Sequence, residues 1–374
     1  MIMDNYLVRY IESTISKKMK SSGVVLVEGP KFCGKTTTSA LFAKSEIRLN
    51  TKTAIQIARI EPFNVLLGER PRLIDEWQTV PDLWNQAKAW IDENPGFGQF
   101  IFTGSSTPVD NSDIFHSGAG RITRVMMRPM SLFESQDSKG SVSLSSLFNN
   151  ENPVVFDMNE GYGLSDTAFL LCRGGWPLSI QPEREVALDV TANYYESLFN
   201  LGNSENPKFR NKNPEILKLV MRAYARHISS QTSTTKILAD ISARDSRTIS
   251  SKTFEEYADI LTDLFIIEDM EAWNPNLRSK TVVRSTPTHH FVDSSIAAQA
   301  LGASPADLMS DLNTFGLLFE DMAVRDLRVY AQTINGNVLH YRDSRGLECD
   351  TIVHLKDGRW APIEIKLGGD NLIE

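Results

Sequence analysis

The chain contains few cysteines and no long apolar segment. Only three of its 374 residues are cysteine, and none of Cys33, Cys172 and Cys349 belongs to a C-x-x-C motif. This spacing predicts neither a disulfide framework nor a zinc site. No apolar run approaches the roughly 18 residues of a membrane span, so we expect no membrane partner. Residues 1–23 have the pattern of an amphipathic helix rather than an export signal, which predicts a cytoplasmic protein.

The chain also lacks the excess of positive charge typical of a protein that coats nucleic acid. Its net charge is −8, a total that is still compatible with a local basic face. The composition, 41% hydrophobic and 23% charged, is that of a globular protein. A chain of 374 residues is too long for one ordinary core, and we expect two or three domains.

The most specific motif lies in GVVLVEGPKFCGKTTTSALFAKS, residues 23–45. Residues 29–36 match G-x-x-x-x-G-K-[ST] at every fixed position, between a β-branched run at 24–27 and a helical pattern at 37–44. The glycines let successive backbone N–H groups point at phosphate oxygens, while Lys35 reaches the outer phosphates and the Thr36 hydroxyl holds Mg²⁺. The predicted ATP-binding residues are Gly29, Pro30, Lys31, Phe32, Cys33 (as a filler residue), Gly34, Lys35, Thr36 and Thr37.

Two adjacent acids follow a second apolar run. Leu73-Ile74 precedes Asp75-Glu76, which predicts a strand that ends in paired carboxylates. In nucleotide hydrolases the first acid of such a pair binds Mg²⁺ and the second orients or deprotonates the attacking water. We assign these roles to Asp75 and Glu76. A solvated turn is the alternative, and the phosphate-binding loop upstream favours the catalytic interpretation.

A third apolar run, residues 100–102, leads into TGSS at 103–106. Ligands bind at the carboxyl ends of parallel strands, so a hydroxyl there can contact both the γ-phosphate and the water, and we select Ser105. A plain Ser/Gly turn is the alternative. Residues 136–166 are rich in serine, glycine and asparagine and predict a loop or insertion.

Three arginines, Arg121, Arg124 and Arg128, alternate with apolar residues before Pro129. One of the three is a candidate for an arginine that stabilises transition-state charge, either in its own chain or donated to a neighbouring subunit of a homo-oligomer, and we select Arg121. Surface arginines on a strand are the equally weighted alternative.

The ordered set GPKFCGKTT, LIDEWQ, TGSS, GR with RPMSLFE, and RGGWP resembles the bacterial and archaeal AAA+ ATPases whose C-terminal half is a domain of unknown function. The resemblance covers nearly the whole chain. It implies an α/β fold: a P-loop parallel-sheet ATPase domain (1–182), a helical winged-helix-like domain (183–305), and a small restriction-endonuclease-like α/β domain (306–374). Residues 174–177, GGWP, would form a structural turn near the end of the ATPase core.

The middle region combines a helical pattern with a divided charge. Residues 206–252 carry ten lysines and arginines against three acids, whereas residues 253–271 carry seven acids and no basic residue. The segment from 234 resembles a helix–turn–helix with a wing at 274–283 and a return strand at 289–295. A basic face beside such a motif predicts contact with the DNA backbone. A packing module whose charges only solvate it is the alternative, and Glu255-Glu256 disfavour base reading. The family's usual lysine before this strand is replaced in TPTHHFVD, so its role does not carry over.

The C-terminal region predicts a second acidic site. A helix at 312–331 carries Glu320, and strands at 338–342, 348–354 and 360–366 carry Asp350, Glu364 and Lys366. The spacing D-x(13)-E-x-K is that of metal-dependent nucleases: Asp350 and Glu364 would hold one divalent ion, and Lys366 would hold or deprotonate a water. Solvated acids on a hairpin are the alternative. Relatives extend beyond this lysine, so we expect the last domain to be incomplete.

Three hypotheses follow from these motifs. The first is an ATPase that uses ATP and Mg²⁺ and couples its nucleotide state to a C-terminal, DNA-acting module. The second is a nucleotide-gated switch whose nuclease-like domain holds DNA or protein without cutting. The third is a nuclease in which ATP controls cleavage.

Overall fold

The structure, a computed structural model, describes residues 6–106, 119–149, 162–200, 212–245, 247–275, 286–343 and 345–368. Its described residues divide into two compact units, one formed chiefly by residues up to Arg128 and the other chiefly by residues from Pro129 onward. None of the helices in these residues is long and apolar enough to cross a membrane. The predicted divisions after residues 182 and 305 stay predictions, because packing separates only two units.

The first unit is built on a parallel sheet. Its five strands lie in the order β2-β3-β4-β1-β5, and every neighbouring pair is parallel. β1 and β4 are buried along almost their whole length, as expected for apolar strands covered on both faces. The mixed α/β class predicted from the sequence is confirmed. The strands are β1 Val24–Glu28, β2 Ser45–Arg48, β3 Arg72–Asp75, β4 Phe100–Gly104 and β5 Ile122–Met126.

Helices connect the strands of this unit. Trp77, Trp84, Phe100 and Phe102 form the aromatic part of a core packed on the sheet. A short 3₁₀ turn, Trp77–Thr79, follows β3 directly. The helices are α1 Ile11–Met19, α2 Lys35–Ala40, α3 Lys52–Ile60, α4 Pro62–Val65 and α5 Leu83–Glu93.

Several predicted boundaries in the first unit are shifted. The helix expected at 37–44 is α2, which begins at Lys35 and ends at Ala40. The strand expected at 47–50 lies at Ser45–Arg48, and the strand expected at 100–102 continues to Gly104. β3 ends at Asp75, the first residue of the predicted acidic pair.

The second unit is mainly helical and ends in a three-stranded antiparallel sheet of order β6-β7-β8. Within it α10 packs on α13, α14 on α7, and α15 along β6. The helices are α6 Leu144–Asn149, α7 Leu164–Arg173, α8 Pro177–Ile180, α9 Arg184–Ser197, α10 Pro214–Arg226, α11 Thr234–Arg244, α12 Ser251–Asp263, α13 Ser294–Leu301, α14 Pro305–Ser310 and α15 Leu312–Thr333; the strands are β6 Gly336–Arg342, β7 Glu348–Leu355 and β8 Trp360–Ile363.

Two expectations for the second unit need correction, and a third falls mostly outside the described residues. The segment 136–166 is not all loop, because α6 lies within it, although residues 150–161 are outside the described residues. Most of the predicted wing at 274–283 is also outside them. The expected return strand at 289–295 contributes one isolated bridge, Ile267 with Phe291, and a second bridge, Met270 with Thr288, lies just before it. The extended backbone ends there because Asp293 caps α13.

The last predicted strand is shorter than expected. β8 ends at Ile363 rather than at residue 366, so Glu364 and Lys366 follow the strand instead of sharing one of its faces. The reason is local: the Ile365 N–H donates to the Asp350 side chain (2.9 Å) and not to a carbonyl of β7.

The GGWP turn is held by the residues that begin α13. Gly174 has φ +70°, and a β-carbon there would lie 2.4 Å from the Asp293 carboxylate. The same carboxylate accepts from the Gly175 N–H at 2.9 Å, and the Trp176 indole donates to the Ser295 hydroxyl at 3.0 Å. Glycine at residue 174 is therefore required by both conformation and space.

Candidate functional site

The loop between β1 and α2 depends on its two glycines. Gly29 has φ +152°, and a β-carbon there would lie 2.1 Å from the Met127 carbonyl oxygen. Gly34 has φ +102°, in the left-handed region that disfavours other residues. Both fixed glycines of the motif are therefore needed for the backbone path, and a chance match in an ordinary turn does not explain them.

Lys35 is a buried cation at the base of this loop. Only 5% of the residue is exposed, and its Nζ donates to the Gly29 carbonyl at 2.9 Å and to the Pro30 carbonyl at 2.6 Å. Within the described residues it forms no ion pair with a carboxylate. When all the partners of a buried ammonium are neutral, its charge is not compensated, and the ammonium therefore attracts an anion.

The Asp75 carboxylate gathers two hydroxyls. Its Oδ1 accepts from Thr36 Oγ1 at 2.7 Å and from Thr103 Oγ1 at 2.5 Å. Asp75 ends β3 and is paired in register with Thr103 of β4, which explains the second contact. The sequence analysis missed Thr103, although it lies in the TGSS segment. The signal that could have found it is the register between two neighbouring parallel strands.

Glu76 leaves the strand in a left-handed conformation, with φ +59° and ψ +43°. Its Oε2 accepts a hydrogen bond from Ser105 Oγ at 3.0 Å and a second from Gln78 Nε2. The structure therefore brings the predicted residues Lys35, Thr36, Asp75, Glu76 and Ser105 to the carboxyl edge of the sheet. It gives Ser105 the role of a partner of Glu76.

An arginine that the sequence analysis did not select supports the loop. Arg9 is 4% exposed and donates to the Cys33 carbonyl and to the Arg128 carbonyl, each at 2.8 Å. Nearby, the Tyr6 hydroxyl lies 3.0 Å from the Thr38 hydroxyl, and burial raises the pKa of Tyr6. Because α1 begins only at Ile11, residues 6–10 are not the helix expected from the pattern of residues 1–23.

Cys33 fills space in the loop, as expected. Its thiol is buried and donates to the Met127 carbonyl at 3.4 Å. Phe32, by contrast, is exposed and has φ +64°, so its side chain points away from the packed part of the loop.

Arg121 does not lie at this site within the chain. Its carbonyl accepts from the Val24 N–H at the amino end of β1, whereas the loop follows the carboxyl end of that strand. Five residues of strand separate the two edges by about 16 Å. The Arg121 guanidinium instead pairs with Asp92 at 2.7 Å. The prediction of a catalytic Arg121 therefore fails for a role in cis, because the strand direction carries residue 121 to the opposite edge.

The predicted C-terminal residues do lie near one another. Lys366 Nζ is 3.2 Å from Glu364 and 3.6 Å from Asp350. On α15, burial first and the charge of Asp350 second raise the pKa of Glu320 to about 8. No group of three or more His, Cys, Asp or Glu side chains among the described residues has the geometry of a metal cage.

The basic stretch of the second unit is partly neutralised. Asp240 accepts from Arg226 at 2.6 Å and from Arg244 at 2.7 Å, and Lys218 lies 3.5 Å from Glu196. The described part of this stretch thus retains less free positive charge than its composition suggests. Arg222, Lys236 and Lys252 remain exposed.

The sheet, the loop and the acidic pair together define a P-loop domain, and comparison with known families agrees. Residues 21–136 match the model of the family described as an AAA domain. Residues 164–307 and 315–372 match two domains of unknown function, DUF8612 and DUF4143, descriptions that name neither a winged helix nor a nuclease. The N-terminal unit therefore has a P-loop fold and is similar in sequence to AAA domains.

The curated relatives extend over almost the whole chain. The uncharacterized proteins Rv2008c of Mycobacterium tuberculosis and Mb2031c of Mycobacterium bovis are each 24% identical over 360 residues, which is 94% of this chain and 72% of the relative.

Two solved structures resemble the chain weakly. One is the Orc1 protein of Aeropyrum pernix in complex with DNA (14% identity, TM-score 0.25, 80% of this chain and 95% of that one). The other is a STAND signal-transduction ATPase with a tetratricopeptide repeat sensor from Pyrococcus horikoshii (12% identity, TM-score 0.25, 89% and 67%). At this TM-score neither likeness assigns a role to the chain.

Proposed function

We propose that the chain binds ATP with Mg²⁺ through residues 29–37 and hydrolyses it. The observation that carries the proposal is that Thr36 and Thr103 both donate to the Asp75 carboxylate, and that Thr36 directly follows a buried lysine, Lys35, that has no carboxylate partner among the described residues. The match of residues 21–136 to an AAA domain supports the same conclusion.

The loop would hold the triphosphate. In P-loop proteins the backbone N–H groups of this loop face phosphate oxygens. Lys35 Nζ now donates to two loop carbonyls, and on ATP binding it would donate to phosphate oxygens instead. A charge-assisted hydrogen bond to phosphate is stronger than one to a neutral carbonyl, so this exchange is favourable.

The donor set fits Mg²⁺. Thr36 Oγ1 and Asp75 Oδ1 are hard oxygen atoms 2.7 Å apart. Mg²⁺ commonly takes one or two protein oxygens and completes its shell with phosphate oxygens and water, so the lack of a three-residue cage among the described residues is consistent with it. When bound, the ion neutralises charge on the phosphate oxygens.

Glu76 would act on the water. The water oxygen forms a bond to the γ-phosphorus, the bond from that phosphorus to the β–γ bridging oxygen breaks, and ADP leaves with the electron pair while the water proton passes to Glu76. Ser105 and Gln78 hold one carboxylate oxygen of Glu76, so the other oxygen is left for this contact.

The proposal is tested by ATP binding and turnover with Mg²⁺. Lys35→Ala should abolish tight ATP binding, whereas Glu76→Gln should retain binding and lose turnover by a factor of about 100 or more. Lys88→Ala is the matched control, because Lys88 makes an exposed ion pair with Asp92 away from the loop. Unchanged binding in Lys35→Ala would contradict the proposal.

The second candidate function concerns the C-terminal cluster. Lys366 Nζ lies 3.2 Å from Glu364 and 3.6 Å from Asp350, which brings these three side chains together. Burial, followed by the charge of Asp350, raises the pKa of Glu320 on α15, and a divalent ion bound beside these carboxylates would favour the charged form of Glu320. We therefore propose that Glu320, Asp350, Glu364 and Lys366 form a nuclease-like site that acts on DNA, with basic residues of 206–252 contacting the backbone. A module that holds DNA or protein without cutting is the alternative.

Plasmid nicking with Mn²⁺ separates cutting from holding. Nicking that vanishes in Asp350→Ala and in Lys366→Ala supports cleavage at this site. DNA binding without nicking, lost in the same variants, supports the holding alternative. ATPase rates with and without DNA then test whether the two modules are coupled.

A further inference from the structure

Gln78 lies beside the proposed catalytic glutamate and has an unsatisfied acceptor. It sits in the 3₁₀ turn Trp77–Thr79, two residues after Glu76, and its Nε2 donates to Glu76 Oε2. Its Oε1 is buried and has no hydrogen-bond partner within the described residues. Buried polar atoms are almost always paired, so an unpaired one beside a reactive carboxylate needs an explanation.

The orientation of this amide is set by its neighbour. A carboxylate oxygen only accepts, so the amide must present its NH₂ group to Glu76, and its carbonyl is left to accept from another donor. A rotated amide would place two acceptors against each other. Gln78 Oε1 is therefore an available acceptor in the same small region as the Glu76 carboxylate.

The turn that carries Gln78 is rigid, and Gly104 leaves space for the Gln78 side chain. The Thr79 hydroxyl and N–H both donate to the Glu76 carbonyl, at 2.8 and 3.1 Å, and Trp77 is buried against Phe102. Gly104 supplies the space, because a β-carbon there would lie 2.9 Å from Gln78 Oε1 and 3.0 Å from the Trp77 indole nitrogen. The position of Oε1 is thus determined by packing and not by a free surface rotamer.

Glu76 offers a second acceptor. Its two hydrogen-bond partners in the described part of the chain, Gln78 and Ser105, both contact Oε2, and its Oε1 has no hydrogen bond there. A water molecule has two hydrogens to donate. Two acceptors held on one short turn can receive both and leave a lone pair of the water oxygen free.

We propose that Gln78 is a further catalytic residue: its Oε1 and Glu76 Oε1 each accept one hydrogen of the water that attacks the γ-phosphate. The inference rests on the proposed ATP hydrolysis. The proton still passes to Glu76, and the amide only accepts a hydrogen bond, so Gln78 contributes orientation. The hydrogen bond from Gln78 Nε2 at the same time keeps the glutamate in place.

Steady-state ATP hydrolysis by the full chain tests this role. In Gln78→Leu we expect kcat to fall about 100-fold, comparable to the loss of one preorganised catalytic hydrogen bond, while KM for ATP changes less than about twofold. Gln86→Leu is the matched control, since Gln86 also donates its amide to a carboxylate (Asp82, 3.1 Å) but on the surface of α5. It should keep the wild-type rate.

A pH profile tests the contact between Gln78 and the base. Gln78→Glu places a second carboxylate beside Glu76, which raises the pKa of the base and shifts the acidic limb of the kcat profile to higher pH. An unshifted profile overturns the proposal, because residue 78 would then not contact the base that takes the proton. Gln78→Asn, which withdraws the amide by one methylene, should also lower kcat and serves if Gln78→Leu does not fold.

The two proposals fail differently. If Glu76→Gln abolishes turnover while Gln78→Leu and Gln78→Asn keep the wild-type kcat, the role of Gln78 is wrong and the ATPase stands. If turnover survives both Lys35→Ala and Glu76→Gln, the proposed ATPase site is wrong, and the role of Gln78 falls with it.

Discussion

The Thr36 hydroxyl donates a hydrogen bond to Asp75 Oδ1 at 2.7 Å, although 39 positions separate the two residues in the chain. One follows β1 through the loop, and the other ends β3. β1 and β3 are separated in the sheet by β4 alone, and all three strands are parallel. The contact forms because parallel strands end at the same edge of the sheet. It joins the phosphate-binding motif to the acidic pair.

The first prediction concerns metal dependence. Asp75→Asn keeps the size of the side chain but removes the charge that would hold Mg²⁺, so the gain in ATP affinity on adding Mg²⁺ should fall at least tenfold. Calorimetric titration with and without Mg²⁺ measures it. Asp82→Asn, on the surface near α5, should behave as wild type. An equal Mg²⁺ effect in both variants would count against the assignment.

The second prediction concerns Arg9. Arg9→Ala removes two hydrogen bonds from a buried charged group to the Cys33 and Arg128 carbonyls. At about 1.5–3 kcal/mol each, the loss of unfolding free energy should be about 3 kcal/mol or more, with weaker ATP binding because the loop loses support. Urea unfolding measures the stability. Arg48→Ala, which breaks an exposed pair with Glu46, should cost no more than about 0.5 kcal/mol.

The third prediction concerns acid stability. Burial, followed by the charge of His290, lowers the pKa of His340 to about 4. The unfolded chain takes up a proton below the ordinary pKa of 6.5 and the folded chain does not, so stability falls as the pH drops from 6.5 towards 4. At about 1.4 kcal/mol per pKa unit the loss reaches about 3 kcal/mol. Glu320 contributes the opposite slope above pH 4.5, so the variant is compared with the wild type at each pH. The unfolding free energy of His340→Gln relative to the wild type should rise as the pH falls from 6.5 towards 4, and a constant difference would contradict the assignment.

The fourth prediction concerns Glu320. Its pKa of about 8 in the folded chain exceeds the ordinary 4.5. The folded state therefore binds more protons, and the stabilisation is complete below pH 4.5 and lost as the pH rises through 8, with a slope of at most about 1.4 kcal/mol per pH unit. Glu320→Gln should abolish this slope. Mn²⁺ should raise the Tm of the wild type at pH 8 and not that of Asp350→Ala; equal shifts would argue against the cluster as a cation site.

The fifth prediction concerns Arg121 in trans. Its side chain is 46% exposed and pairs with Asp92 on the surface, so it is available to a second copy of the chain at little cost in stability. If it acts there, mixtures of Arg121→Ala and Lys35→Ala chains should recover turnover that neither variant has alone. Strictly additive rates across mixing ratios would exclude that role. In the control, Arg48→Ala chains are mixed with Lys35→Ala chains, and the rates should follow the proportion of Arg48→Ala.

The residues predicted best are those whose roles follow from neighbours in the chain. The loop at 29–36 and the acidic pair after β3 are consecutive, and their geometry depends on glycines and on one strand end. Thr103 could not be separated from Ser105 in the same way, because the choice depends on the register of β4 against β3. The alternating pattern predicted that Glu364 lies on a strand. The strand ends before it because the Ile365 N–H donates to Asp350, a contact that the pattern does not reveal.

By itself the sequence determined the P-loop, the position of Asp75 and Glu76, and the mixed α/β class, since each follows from local spacing and from periodic burial. The tertiary structure alone decided that Arg9 supports the loop and that Arg121 lies at the opposite edge of the sheet. It alone also decided that the Gln78 amide donates to Glu76 and leaves its own oxygen without a partner in the part of the chain that the structure describes. These contacts depend on strand order, strand direction and packing, which bring together residues that no short motif connects.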